Sequence, residues 1–124
     1  MQERLGDDRS IYLQICDMIE TDILRDILLE EERVPSTNDL ARRYTINPAT
    51  AAKGMALLVD AGILYKKRGI GMFVASGAKA KILARRREEF QRVALARLLH
   101  EAESLGITRE ELIQMLAQTE EHHD

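Results

Sequence analysis

A chain of 124 residues, 45% hydrophobic and 31% charged, has room for one domain, or for one small domain with an appendage. Three Tyr, two Phe and no Trp point to aliphatic packing between helices, and no run approaches the ~18 apolar residues of a membrane span. The net charge of -3 argues at first against a polyanionic partner, while a lone cysteine, Cys16, excludes an internal disulfide and fits a cytoplasmic, reducing location.

The average conceals a segregation of charge. Residues 1–32 carry three basic and ten acidic side chains, residues 33–87 twelve basic and two acidic, and residues 88–124 three basic and nine acidic. A polyanion responds to the local field, because exposed charges beyond a Debye length of ~8 Å are largely screened at physiological salt. The central block, net +10, is compatible with DNA, with a solvated charge cluster as the alternative.

The first ten residues are polar and acidic, unlike a signal peptide. A helix is expected from Ser10, its N-cap, to Leu29, with Ile11, Ile15, Ile19, Ile23 and Ile27 recurring every fourth residue and Cys16, Leu24 and Leu28 widening the stripe. Cys16 reads as a buried small hydrophobe. After the acidic loop Glu30-Glu31-Glu32, Ser36 and Asp39 make a capping-box start for a short helix to about Tyr44. Thr45-Ile46 turn the chain, and Asn47 as N-cap with Pro48 at the first helical position opens a second helix to about Ala61, ended by Gly62. Ile63–Tyr65 and Met72–Ala75 read as strands joined by the basic loop Lys66-Lys67-Arg68-Gly69-Ile70-Gly71. Beyond Gly77 a long helix is expected to about Leu105, stopped by Gly106. A second capping box, Thr108 with Glu111, and a staple of Ile107 and Leu112 start a last helix from Arg109 to about Thr119.

A helix, two short helices across a tight turn, and a hairpin follow one another in the order of a winged helix-turn-helix. Ala41, Ile46 and Ala51 fall where the crossing helices meet, and Met55, Leu58 and Val59 continue the buried face. Asn47, Ala49, Thr50 and Lys53 are then left facing outward, small or polar residues suited to close approach in a major groove. Ser36 and Thr37 can donate to phosphate at one helix N-terminus, and Asn47 and Thr50 can reach phosphate or base edges at the other, unless capping occupies Asn47. Lys53 can meet phosphate or guanine. Lys66, Lys67, Arg68 and Gly69 form the wing, with Arg68 suited to a minor groove or a phosphate. Gly54 inside the second helix costs ~1 kcal/mol against Ala and is expected to permit close packing on the first helix.

Ser10-Ile11-Tyr12-Leu13-Gln14-Ile15, Val34-Pro35-Ser36, Asp39-Leu40-Ala41, Ile46-Asn47-Pro48-Ala49-Thr50 and Arg68-Gly69-Ile70-Gly71-Met72-Phe73-Val74 together resemble the DNA-binding domain of the GntR family over about residues 10–75. The Asn-Pro start of the second helix and the short tail look like its YtrA subfamily. That resemblance implies a small regulator, often a repressor of transporter operons, dimerising through two C-terminal helices and without the large effector-binding domain of other subfamilies. Asn38 stands where many members carry a DNA-contacting arginine, Ala52 at another often basic position, and Met72 in place of a common threonine.

The expected fold class is therefore mainly α with a small β-hairpin wing, divided into a winged DNA-binding domain over residues 1–76 and a two-helix dimerisation region over residues 77–124. Leu83, Phe90, Val93, Ala94, Leu98, Ala102 and Leu105 lie near one face of the long helix, and Leu112, Ile113 and Leu116 near one face of the short one. A second copy covers such a stripe economically, although the helices can instead fold back on their own winged domain. Arg85-Arg86-Arg87 extend the DNA footprint or pair with Glu88-Glu89 along the helix. The expected partners are palindromic double-stranded DNA and a second copy, with room for a small-molecule effector between the winged domain and the C-terminal helices. His122-His123 lack a spaced third ligand, so neither a metal nor a cofactor is expected. No catalytic triad or phosphate loop is present, so enzyme function is not expected. A winged module that binds protein rather than DNA is the alternative function.

Overall fold

The computed structural model describes residues 10–120. They fall into two compact units that divide between residues 84 and 85.

The first unit begins with α1 (Ile11–Leu24), whose inward face is Ile15, Cys16, Ile19 and Ile23. Ser10 caps it only through its carbonyl, which accepts from the N–H groups of Leu13 and Gln14; its hydroxyl makes no cap bond. The helix stops short of the expected Leu29. Asp26 turns to φ 61°, outside the helical region, and the Asp22 carbonyl takes the N–H groups of both Ile27 and Leu28. Leu28 still reaches the core, while Ile27 is left 60% exposed.

Helix α2 (Thr37–Tyr44) carries the full capping box. Asp39 N–H donates to Ser36 Oγ at 3.0 Å, and the Asp39 carboxylate accepts from Ser36 N–H. Thr45 ends it in the left-handed region, and Ile46 N–H returns to the Ala41 carbonyl. Helix α3 (Pro48–Asp60) follows at once: Asn47 Oδ1 accepts from Ala49 N–H at 2.8 Å, and Pro48 occupies a position where no N–H is needed. Gly62 at φ 77° releases the chain into the sheet.

Strands β1 (Leu64–Lys67) and β2 (Gly71–Val74) are antiparallel, with Leu64 opposite Val74 and Lys67 opposite Gly71. Both lie nearer the tip than expected, so Lys66 and Lys67 belong to a strand and only Arg68, Gly69 and Ile70 turn the corner. Arg33 pairs with Phe73 as an isolated bridge, adding a rudimentary third strand on the other side of β2.

The core of this unit gathers Ile15, Ile19, Ile23, Leu40, Ala51, Met55, Leu58, Ile63, Leu64 and Val74. Each full-sized aliphatic among them contributes about 1.5–3 kcal/mol by leaving water. Gly54 has the role its position suggested: a Cβ there would stand 2.8 Å from the Tyr12 carbonyl oxygen, so α3 packs backbone to backbone on α1. Buried Cys16 uses the same approach, its Sγ donating to the Gly54 carbonyl at 3.1 Å. Ala78 and Ile82, on the first turns of α4 (Ala78–Glu89), are wholly buried in this core. The first unit therefore ends later than a boundary at residue 76.

The second unit contains the remainder of α4, a π-helical turn (Phe90–Leu95), α5 (Ala96–Ser104) and α6 (Arg109–Gln118). The single long helix expected here is thus interrupted in the middle by one wider turn. Gly106 at φ 72° ends α5, and Thr108 with Glu111 forms a complete capping box on α6. Among the described residues of this unit only Ala102 and Leu112 are buried.

Candidate nucleic-acid interface

Burying Ala51 and Met55 turns the opposite side of α3 outward: Asn47, Ala49 and Lys53 are exposed and Thr50 is half-buried. These four residues share one surface at the N-terminal half of the helix. The oxygen of Asn47 is committed to its cap, which leaves the amide nitrogen as its free donor. Lys53 is less free than its exposure implies. Its Nζ lies 4.1 Å from the centroid of the Tyr12 ring on α1, a cation–π contact that parks the ammonium at the flank of the helix.

The N-terminus of α2 presents Ser36, Thr37 and Asn38, with Thr37 half-buried and the other two exposed. Asp39 lies among them. Hydrogen bonding from the Ser36 side chain, then from Arg42 and the Ser36 backbone, holds its carboxyl below the usual value of 3.8. A fixed negative charge therefore stands beside the free N–H groups, offset by Arg42 at 2.6 Å. Anion binding at this helix end is correspondingly weaker than its dipole alone would give.

In the wing, the two-residue alternation of a strand sends Lys66 and Lys67 to opposite faces. Lys67 Nζ lies 4.4 Å from the Phe73 ring, which itself stacks on Tyr65 with centroids 5.9 Å apart. The Tyr65 hydroxyl donates to Glu31, and that bond raises the phenol pKa above its ordinary 10.0. At the tip, Ile70 N–H closes on the Lys67 carbonyl, leaving Arg68, Gly69 and Ile70 exposed.

The structure thus groups Asn47, Ala49, Thr50 and Lys53 on α3, Ser36, Thr37 and Asn38 at the start of α2, and Lys66, Lys67, Arg68 and Gly69 on the hairpin. Further cations of the same unit, among them Arg33, Arg42 and Arg43, were not expected from the sequence. Arg42 lines a groove with Asn38, Ala41, Ile46 and Pro48, Arg43 is exposed one residue on, and Arg33 flanks the wing. Arg42 was legible, since it follows Asp39 at helical i,i+3 spacing; Arg33 had no local signal.

The residues proposed for pairing lie in the second unit, except Leu83 at the end of the first. Leu83, Phe90, Val93, Leu98, Leu105 and Leu116 are 45, 64, 42, 38, 74 and 61% exposed, and Ala94 is exposed too. Leu112 is the exception, buried within its own unit. Among the described residues no group of three metal-ligating side chains converges, and no helix is long and apolar enough to cross a membrane. His122 and His123 lie outside the described residues.

Two N-capped helices across a tight turn, the second offering small and polar residues, beside a basic hairpin, define a winged helix-turn-helix regulator that binds DNA. The family model "Bacterial regulatory proteins, gntR family" matches residues 11–74. The chain is 30% identical to the HTH-type transcriptional regulator YhcF of Bacillus subtilis, over 92% of this chain and 93% of that one. It is 28% identical to the Bacillus subtilis repressor YtrA, over 82% and 78% of the two chains. Among solved structures it resembles a GntR-family regulator from Bacteroides thetaiotaomicron, with a TM-score of 0.74 and 38% identity, covering 87% of this chain and 94% of that one. It also resembles the DNA-binding domain of AraR in complex with operator ORX1, with a TM-score of 0.53 and 29% identity, over 59% of this chain and 95% of that one. The chain belongs to the GntR family of bacterial transcriptional regulators, a family of DNA-binding proteins rather than enzymes.

Proposed function

We propose that the protein is a dimeric repressor acting in the cytoplasm on a palindromic operator. In this reading α3 enters the major groove with Asn47, Ala49, Thr50 and Lys53, while Lys66, Lys67, Arg68 and Gly69 bring the wing to the flanking backbone. Ser36, Thr37 and Asn38 meet phosphate at the start of α2. The observation that carries pairing is the composition of the second unit: Phe90, Leu105, Ile113 and Leu116 are each more than 60% exposed on a unit too thin to bury them. A twofold partner covers such a surface and sets two α3 helices about one DNA turn apart. The short groove-reading surface, poor in arginine, also needs two copies for useful affinity. Repression is supported by the shared architecture of the repressor YtrA, a relative matched over most of this chain. A transporter operon as the regulated target follows from the subfamily resemblance alone.

Selection of bound sites from a random duplex library tests binding, symmetry and half-site spacing together. The expected product is a palindrome with half-sites about one turn apart, bound with an affinity that falls steeply with salt. Asymmetric sites, or recovery of no sequence, would refute the proposal. Placing the selected site within a reporter promoter then distinguishes repression from activation.

A further inference from the structure

Arg33 lies outside every helix and named strand, yet it is tied to the wing. Val34 N–H donates to the Met72 carbonyl and Val74 N–H to the Glu32 carbonyl, both at 2.9 Å, so Arg33 stands directly opposite Phe73. Residues directly opposite in an antiparallel pair share a face. One face of the wing therefore carries Arg33, Phe73 and Tyr65 as a row across three strands, with Gly71 and Lys67 in the row nearer the tip. A Cβ at Gly71 would stand 2.8 Å from Arg33 Nε and 3.3 Å from its Cζ and Nη2. The guanidinium thus lies against bare backbone at 71, where φ is 148° and side chains rarely fit.

We propose that Arg33 is a DNA-backbone contact built into the base of the wing, and that Gly71 lacks a side chain so that the guanidinium can lie there. The inference rests on the reading that the wing meets DNA. Arg33 is exposed, and in the chain it precedes the Ser36 cap of α2 by only three residues. It is thus close in the chain to the start of α2 and, through its bridge to Phe73, held beside the wing. On the same face Lys67 is held over Phe73, so two cations are presented side by side. The carboxylate of this region that reaches the row, Glu31, is engaged by the Tyr65 hydroxyl at its far end. A guanidinium lying on a peptide surface is already restricted, so it gives up less rotamer freedom on gripping a phosphate than a free side chain does.

The test is an anisotropy titration of the full chain on its selected duplex and on an unrelated one, at several salt concentrations, with Arg33→Ala, Arg33→Lys and Arg68→Ala. Arg33→Ala should weaken both duplexes about tenfold per bound copy. It should also reduce the slope of log K against log salt by about 0.9 per copy. Arg33→Lys should restore the slope but not the whole affinity, since it keeps the charge and loses the fork. An Arg33→Ala slope equal to that of the parent would overturn the inference, even with affinity reduced, because a bracing role alone removes no phosphate contact. Arg68→Ala reports separately on the wing: if it leaves the slope intact while Arg33→Ala lowers it, the tip reading fails and the Arg33 contact stands.

Discussion

Gly54→Ala puts the contact between α1 and α3 in opposition to helix propensity. By propensity alone, alanine in a helix interior gains about 1 kcal/mol over glycine. At this position the added Cβ would stand 2.8 Å from the Tyr12 carbonyl oxygen and 3.5 Å from Ile15 Cγ2. The first of these is helical backbone and cannot rotate away, so relief requires α1 and α3 to separate. Separation lengthens the Cys16–Gly54 hydrogen bond and loosens the packing of Ile15, Ala51 and Met55, all at most 1% exposed. Overpacking of a tight core costs roughly 1–3 kcal/mol, and a backbone clash belongs at the upper end. The net expectation is a loss of about 1–2 kcal/mol. Urea denaturation followed by circular dichroism should show a lower midpoint with an unchanged slope, and the melting temperature should fall by several degrees. An alanine variant as stable as the parent, or more so, would refute the reasoning, since propensity would then outweigh the close approach.

Two further outcomes follow from the same structure. Phe90→Glu combined with Leu105→Glu should leave the far-UV spectrum unchanged, because both side chains are exposed, while sedimentation shifts from dimer to monomer. Operator affinity should fall by about 100-fold or more as the second half-site ceases to be an intramolecular encounter; a variant that stays dimeric contradicts the pairing surface. Asp39 makes the α2 cap sensitive to acid: its pKa is lowered in the folded state, so its contribution is complete above the ordinary 3.8 and is lost as pH falls through the folded value. The stability gap between the parent and Asp39→Asn should therefore be present at pH 6 and shrink below about pH 4, measured by urea midpoints at each pH.

What the sequence made legible was local. Ser36 with Asp39, Asn47 with Pro48, and Thr108 with Glu111 announce helix starts because each cap is completed within three residues. The alternating faces of α3 follow from the small residues Ala51 and Gly54 among larger ones. The missing parts depend on contacts that no short window contains. Asp26 ends α1 early through its own backbone angle, against an isoleucine period that runs on to Ile27. Lys66 and Lys67 read as loop by composition, yet pairing with Met72 and Gly71 draws them into a strand. The restraint on Lys53 needs Tyr12, far away in sequence, and the position of Arg33 needs a bridge to Phe73 across forty residues of chain.

The π-helical turn at Phe90–Leu95 has a meaning for how such chains diverge. A wider turn absorbs one extra residue without opening a loop, so it behaves as an insertion hidden inside a continuous helix. Each residue of an α-helix advances about 100° around the axis. In an unbroken α-helix an added residue rotates everything after it by that angle, whereas the wider turn takes up the difference, so deleting one residue here would leave a helix of ordinary pitch with Leu98, Ala102 and the residues after them facing nearly as before against Arg85–Glu89. The segment can therefore gain or lose one codon while the side chains of α5 keep their faces and the caps on either side stay as they are.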